Sequence, residues 1–433
     1  MDIGEQIHDR IMTKQLLEGD IVLGTTLVDM YVKCGDLSRA QGVFDMLRER
    51  NVVTWTSLIS GYAQHGCGEE AISCYEEMQQ EGISPNPVTF LCILKACGKT
   101  GAILKGEEIH AQIVRKGFLL GTEHTPVRNA LVDMYAKCGA FEKAEEVFRQ
   151  SPVWNVVSWT ALISGYTQHG RGHEALECFE MMERNGFWPN VVTYLCILKA
   201  CGLAGAIGKG EKIHAEIVRE RLLEKNVSLG NALIDMYAKF GLMAKAEGVF
   251  ESLQTFRNEV SWNTLIGGYS QNGFCEEALR YFEQMQRGGF SPNNVTFLYI
   301  LKACGRIQAV DKAREIHDQI MRTGLLGKDV SIGTALVGMY AECGDLVKAQ
   351  EVFDELPIKD VVSWTTLIAG YTQQGDGEKA LNCFKEMQKM SVSANPIAYL
   401  SILKACGSIG AINMGKEIHA QIAKEGLIQK DIM

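Results

Sequence analysis

The chain has 433 residues, 46% hydrophobic and 22% charged, which is ample apolar material for an extensive core. A net charge of −9 sets it apart from the basic chains that usually bind nucleic acid, whose affinity leans on phosphate contacts. Mean hydropathy near zero with no long apolar run argues against a membrane-spanning helix, and the acidic opening MDIGEQIHDRIMTK reads as neither a secretory signal nor an organellar transit peptide.

In chain order, residues 1–20 read as the second helix of a partial unit, and twelve complete helix-turn-helix units then tile 21–431. They come in three types that recur in order. First-type units span 21–51, 125–155, 227–258 and 330–360; second-type units span 52–86, 156–190, 259–293 and 361–395; third-type units span 87–124, 191–226, 294–329 and 396–431. Self-similarity fixes this division. Trp55, Trp159, Trp262 and Trp364 recur at spacings of 104, 103 and 102, and the Met-Tyr pairs ending at Tyr31, Tyr135, Tyr237 and Tyr340 recur at 104, 102 and 103. Ile-His pairs ending at His8, His110, His214, His317 and His419 keep the same period. Typical lengths are 31, 35 and 36 residues; 87–124 runs to 38 and 227–258 to 32, with the additions near unit ends, where loops tolerate them.

Within 52–86, Leu58, Ile59 and Tyr62 fall at helical spacing, the glycines of His65-Gly66-Cys67-Gly68 end that helix and begin another, and Ala71, Ile72, Tyr75 and Met78 form a second apolar stripe. Gly82 and Pro85 end it. No unit keeps a strand-like alternation. Neither helix can bury its apolar face alone, so neighbouring units must stack into one continuous core, which makes the chain an all-α solenoid. The Gly-Tyr and Met-Tyr pairs and Ala71, Ala175, Ala278 and Ala380 read as packing contacts.

The 14 cysteines include no C-x-x-C. Cys97, Cys201, Cys304 and Cys406 each close L-K-A-C, while Cys34, Cys138 and Cys343 each precede a glycine. All read as small buried residues at helix contacts in a reducing compartment, and no metal or other cofactor is expected. His214-Ala215-Glu216 matches the H-x-E of zinc deaminases, but no P-C-x-x-C follows, and sister units carry His110-Ala111-Gln112, His317-Asp318-Gln319 and His419-Ala420-Gln421. It reads as repeat variation. The glycine-rich 202–210 lacks the P-loop arrangement and a preceding strand, and reads as a turn. No catalytic residue, small-molecule substrate or enzymatic activity is expected of this chain.

Units of about 35 residues with W-T-x-L-I-x-G-Y, as at 55–62, and E-A-x-x-C-Y-E-x-M, as at 70–78, carry L-K-A-C, M-Y-x-K-C-G and E-x-I-H-A-Q-I in register. Over nearly the whole chain this pattern resembles the pentatricopeptide repeat family, and the triplet of 35, 36 and 31 residues is similar to its plant-type PLS subclass, with second-type units as P, third-type as L and first-type as S. The resemblance implies antiparallel helix pairs in a right-handed superhelix whose first helices line an inner groove. It implies sequence-specific binding of single-stranded RNA at one base per repeat, in a mitochondrion or chloroplast, often for C-to-U editing. Implied partners are editing cofactor proteins, or a deaminase domain supplied in cis or in trans. The rival reading is a peptide-binding or scaffolding tetratricopeptide-type solenoid. Its constant 34-residue repeat and W-x-x-L-G-x-x-Y signature differ from the cycling lengths here.

In that family two residues per unit choose the base, one on the first helix just after the Trp position and one at the unit's end. Carried over, Thr25 with Asn51, Thr56 with Asn86, Thr160 with Asn190, and Thr365 with Asn395 look like adenine readers. Asn129 with Asn155, Asn231 with Asn258, and Asn263 with Asn293 look like cytosine readers that tolerate uracil; Thr334 with Asp360 looks like a guanine reader. A carboxylate accepts from guanine's ring N–H and amino group, whereas adenine's ring nitrogen needs a donor that Asn supplies. Val53, Val157, Val260 and Val362, three residues before the first reader, suit the apolar clamping of a base. Third-type units place Leu91, Leu195, Leu298 and Leu400 at the first position, with His124, Asn226, Asp329 and Asp431 at the end, so they should discriminate weakly. With the N-terminus matched to the RNA 5′ end, as in the family, the expected target is 5′-AANCANCCNGAN-3′, N being an unread base. Lys95, Lys199, Lys302 and Lys404 read equally as phosphate contacts or as solvated lysines covering apolar surface. Both ends fall inside units, and association through the uncapped faces is expected.

Overall fold

The computed structural model describes residues 2–13, 20–119, 121–122, 124–151, 153–326 and 329–424. Parts of the first and last units, including Asp431, lie outside the described residues. Among the described residues the secondary structure is helical throughout, with no strand. The chain divides into two compact halves, Met1–Glu216 and Ile217–Met433. In each half helices alternate, each pair packing on the next, as the all-α solenoid expectation requires.

The pair Val52–His65 and Gly68–Gln80 shows why the sequence folds this way. Asn51 caps the first helix, and Gly66, in the left-handed conformation at φ +89°, ends it by returning its N–H to the Tyr62 carbonyl. Leu58, Ile59, Ala71, Tyr75 and Met78 are buried between the two helices and their neighbours. Where the halves repeat, so does the contact that joins one unit to the next. Phe44 meets Trp55 edge-on at 4.5 Å between ring centroids and Phe148 meets Trp159 at 4.6 Å in the first half; Phe250 meets Trp262 at 4.8 Å and Phe353 meets Trp364 at 4.6 Å in the second. The Gly-Tyr pairs are close-approach positions: a Cβ on Gly165 would lie 2.4 Å from Cβ of Ala136, so the two first helices cross where only a hydrogen fits.

The expectation of buried cysteines holds only in part. Cys97, Cys201, Cys304 and Cys406 are buried, but Cys67, Cys92, Cys138, Cys196 and Cys343 are only half-buried and Cys34 is exposed. The thiols of Cys138 and Cys343 rest 3.7 and 3.8 Å from the carbonyls of Cys97 and Cys304, one unit earlier. Burial pushes the thiols of Cys97 and Cys304 up to about 12 and that of Cys201 to about 11, which keeps them protonated and unreactive.

Candidate nucleic-acid interface

The last residue of a unit is also the N-cap of the next unit's first helix. Asn51, Asn86, Asn155, Asn190, Asn258, Asn293, Asp360 and Asn395 each turn a side-chain Oδ1 onto the backbone N–H three residues on: Thr54 (3.0 Å), Thr89 (2.9 Å), Ser158 (2.9 Å), Thr193 (2.9 Å), Ser261 (3.0 Å), Thr296 (3.2 Å), Ser363 (2.8 Å) and Ala398 (2.8 Å). A helix start leaves its first N–H groups without partners, and a short amide or carboxylate in extended conformation satisfies them. The cap also fixes the chemistry of what remains. With Oδ1 engaged, an Asn has its Nδ2 hydrogens left to donate, whereas Asp360 has a second carboxylate oxygen left to accept.

The first-helix reader of the same unit is brought against that cap from one repeat away. Asn129 donates to Oδ1 of Asn155 at 3.2 Å, Asn231 to that of Asn258 at 3.5 Å, and Asn263 to that of Asn293 at 3.2 Å. Thr365 donates to Oδ1 of Asn395 at 3.3 Å. Thr25, Thr56 and Thr160 instead meet the hydroxyls of Thr54, Thr89 and Thr193 at 2.8, 2.7 and 2.7 Å, and those hydroxyls bond Asn51, Asn86 and Asn190. Thr334 is half-buried and makes no direct hydrogen bond to Asp360. The first readers Thr56, Thr160, Asn231, Asn263 and Thr365 are all buried, so they offer only a polar tip, already ordered, to whatever lies above. One of them, Asn231, has a buried Oδ1 with no donor.

These tips open onto grooves built by first helices alone. In the first half Asn129, Asn155, Val157, Thr160, Asn190 and Val192 line a groove of about 780 Å³. In the second half Val260, Asn263, Asn293 and Val295 line one of about 300 Å³. Val53, Val157, Val260 and Val362 stand 53–57% exposed, an uncommon position for so many β-branched side chains. The sequence reading missed their counterparts. Val22, Val88, Val192, Val295 and Ile397, two residues after a cap as well, are 46–70% exposed, and an aliphatic recurring at that offset is the signal that would have found them.

Charge along this face is mixed. Asp29 with Lys33, Asp133 with Lys137, and Asp235 with Lys239 form ion pairs of 2.6 Å on first-type helices, cancelling each other at the groove. The fourth such helix carries Gly338 and Glu342 instead, and burial raises the Glu342 carboxyl while Arg306 and Lys302 pull it back. Lys95, Lys199, Lys302 and Lys404 are all exposed on third-type helices. Other cations are engaged between second helices: Lys105 with Glu76 and Lys209 with Glu180 at 2.7 Å, and Lys312 with Glu283 at 2.8 Å.

The profile of the PPR repeat family matches residues 50–99, 155–202, 257–306 and 359–408, and that of the PPR repeat matches 25–52, 127–153, 231–257 and 334–361, together well over half of the chain. The chain belongs to the pentatricopeptide repeat family. Relatives in Arabidopsis thaliana include a chloroplastic pentatricopeptide repeat-containing protein, 37% identical over 94% of this chain and 64% of its own length, and a mitochondrial one, 35% identical over 98% of this chain and 61% of its own. A second chloroplastic relative is 36% identical over 95% of this chain and 50% of its own length, so the chain spans between half and two thirds of these relatives. Among solved structures, the pentatricopeptide repeat protein PPR10 in complex with an 18-nucleotide psaJ RNA element superposes with a TM-score of 0.72 at 18% identity, covering 91% of this chain and 59% of that one. A second solved structure, of the pentatricopeptide repeat protein PPR10 from maize, gives 0.64 at 21%, covering 98% and 66%. At such identities the likeness shows a shared pentatricopeptide repeat fold. Among the described residues no helix is long and apolar enough to cross a membrane.

Proposed function

We propose that this pentatricopeptide repeat chain binds single-stranded RNA in a sequence-specific way, one base per repeat, with 5′-AANCANCCNGAN-3′ as its target. The observation that carries the reading is the convergence of first-helix Thr or Asn side chains on the Asn caps one repeat on, direct for Asn129, Asn231, Asn263 and Thr365 and through a hydroxyl for Thr25, Thr56 and Thr160, beside exposed aliphatic side chains. A base's flat faces fit between successive aliphatics, and its Watson–Crick edge meets a tip of fixed donor or acceptor character. PPR10, whose fold this chain shares, holds an RNA element of 18 nucleotides. By resemblance, and because its relatives are named chloroplastic or mitochondrial, the chain serves an organelle as the specificity module of a C-to-U editing factor. The deamination itself belongs to a domain in cis or in trans.

Binding of the 12-mer, measured by fluorescence anisotropy against a shuffled oligomer of equal composition, tests this reading. The target should bind tighter; equal affinities would refute it. Salt dependence gives an independent check. Four exposed lysines, each neutralising one phosphate, predict a slope of log K against log salt of about −3 for a single strand. A slope steeper than about −6 would mean that a basic surface other than this groove dominates.

A further inference from the structure

We infer that a threonine at the third position of a first helix is a positioning residue for the base read by the preceding repeat. This inference rests on the RNA reading above and adds a third determinant to the two reader positions. The residue at that position is Thr54, Thr89, Ser158, Thr193, Ser261, Thr296, Ser363 or Ala398. Its backbone N–H donates to the cap, and at Thr54, Thr89, Thr193 and Thr296 its hydroxyl lies within hydrogen-bond distance of both readers, whereas Ser158 and Ser261 bond only their own caps and Ser363 the Asp360 carbonyl. Thr89 shows the arrangement in full. Its hydroxyl lies 2.7 Å from Thr56 Oγ1 and 3.0 Å from Asn86 Oδ1, and it is fully buried. Thr193 repeats this at 2.7 and 3.0 Å, and Thr54 at 2.8 and 3.1 Å. Thr296 donates to Oδ1 of Asn263 at 2.6 Å and lies 3.2 Å from that of Asn293.

The consequence follows from counting protons. Thr56 and Thr89 have one hydroxyl proton each. If Thr89 donates to Asn86 Oδ1, Thr56 donates to Thr89; if Thr89 donates to Thr56, the Thr56 proton goes to the Val52 carbonyl at 2.6 Å. In both arrangements the Thr56 proton stays inside and a lone pair faces the groove, while Asn86 shows its Nδ2 hydrogens. An outward acceptor beside an outward donor matches the amino group and ring nitrogen of adenine. Guanine, with a carbonyl and a ring N–H in those places, is opposed at both. The third-residue hydroxyl therefore ties the two readers to each other in that polarity.

The chain contains its own contrast. In the repeat of Thr365 and Asn395 the third residue is Ala398, and the Thr365 hydroxyl, which donates to the Val361 carbonyl at 2.6 Å, comes no nearer than 3.3 Å to Oδ1 of Asn395, so no hydroxyl ties the two readers together. This repeat has the same two readers as that of Thr56 and Asn86 and lacks only the hydroxyl. Adenine should be favoured over guanine more strongly at the second base than at the eleventh.

The test uses the full chain and 12-mers carrying adenine or guanine at base two or base eleven, with thermal melting in parallel. Thr89→Ala should lower the adenine-to-guanine ratio at base two by about three- to tenfold, the worth of one hydrogen bond, and leave base eleven unchanged. Thr89→Ser, which keeps the hydroxyl, should retain the ratio. Ala398→Thr, which installs the residue that sister third-type helices carry, should raise the ratio at base eleven by a similar factor. If the wild type discriminates at both bases while Thr89→Ala and Ala398→Thr leave the ratios unchanged, the positioning role is wrong and the two-residue reading stands. If the wild type shows no preference at either base, the RNA reading and this inference fall together.

Discussion

Asp360→Asn is expected to move the preferred tenth base from guanine to adenine. The carboxylate spends one oxygen on the Ser363 N–H at 2.8 Å, and the other is left to accept from guanine's ring N–H and amino group. Asn caps a helix about as well as Asp, so the substitution keeps the helix start and exchanges one outward acceptor for a donor. Eight repeats therefore keep their geometry while one changes its chemistry. In anisotropy titrations with 12-mers differing only at that base, each protein should prefer its own oligomer by about tenfold or more, the usual scale for a two-bond contact to a base edge. Should both proteins bind both oligomers equally, the base assignments are wrong even if RNA binding survives.

Trp159→Ala should cost the fold about 3–5 kcal/mol, the usual range for removing a buried indole. Trp159 is almost wholly buried and meets Phe148 of the preceding unit edge-on, with Trp154 at 5.9 Å and Phe187 at 6.4 Å between centroids. A solenoid's stability is a sum of repeat terms and nearest-neighbour interfaces, so losing one such contact weakens the joint between two repeats more than either repeat. Urea unfolding followed by circular dichroism should show a lower midpoint and a broader or split transition. Val157, two residues away and 57% exposed, is the control. Val157→Ala should shift stability by no more than about 0.5 kcal/mol and weaken RNA binding. A Val157→Ala protein that melts like Trp159→Ala would place that valine in the core, contrary to this account.

Much of the fold is legible in the sequence because this solenoid writes its packing four times over. The tryptophans at intervals near 103 mark the same interface in every triplet, and Gly66 or Pro85 could hardly belong to anything but a helix end. The reader positions came from family resemblance, and the geometry that joins them did not. Asn or Asp before a run ending in Thr or Ser three residues later is a capping signature that sequence alone carries, as at 86–89 and 155–158. That the cap's partner is a residue some 30 positions earlier, as for Thr56 with Thr89, depends on how neighbouring repeats dock. Local periodicity contains no such information. The partial burial of Cys138 and Cys343 is illegible for the same reason, since it comes from a neighbouring repeat rather than from their own helix.

The most direct measurement is a complete single-base scan of the 12-mer, with affinity recorded for all four bases at each position in turn. One nucleotide per repeat, with leucine at every third reader, predicts discrimination at positions 1, 2, 4, 5, 7, 8, 10 and 11 and near-equal affinities at 3, 6, 9 and 12. A profile without that period of three, or one that is flat throughout, would contradict the account.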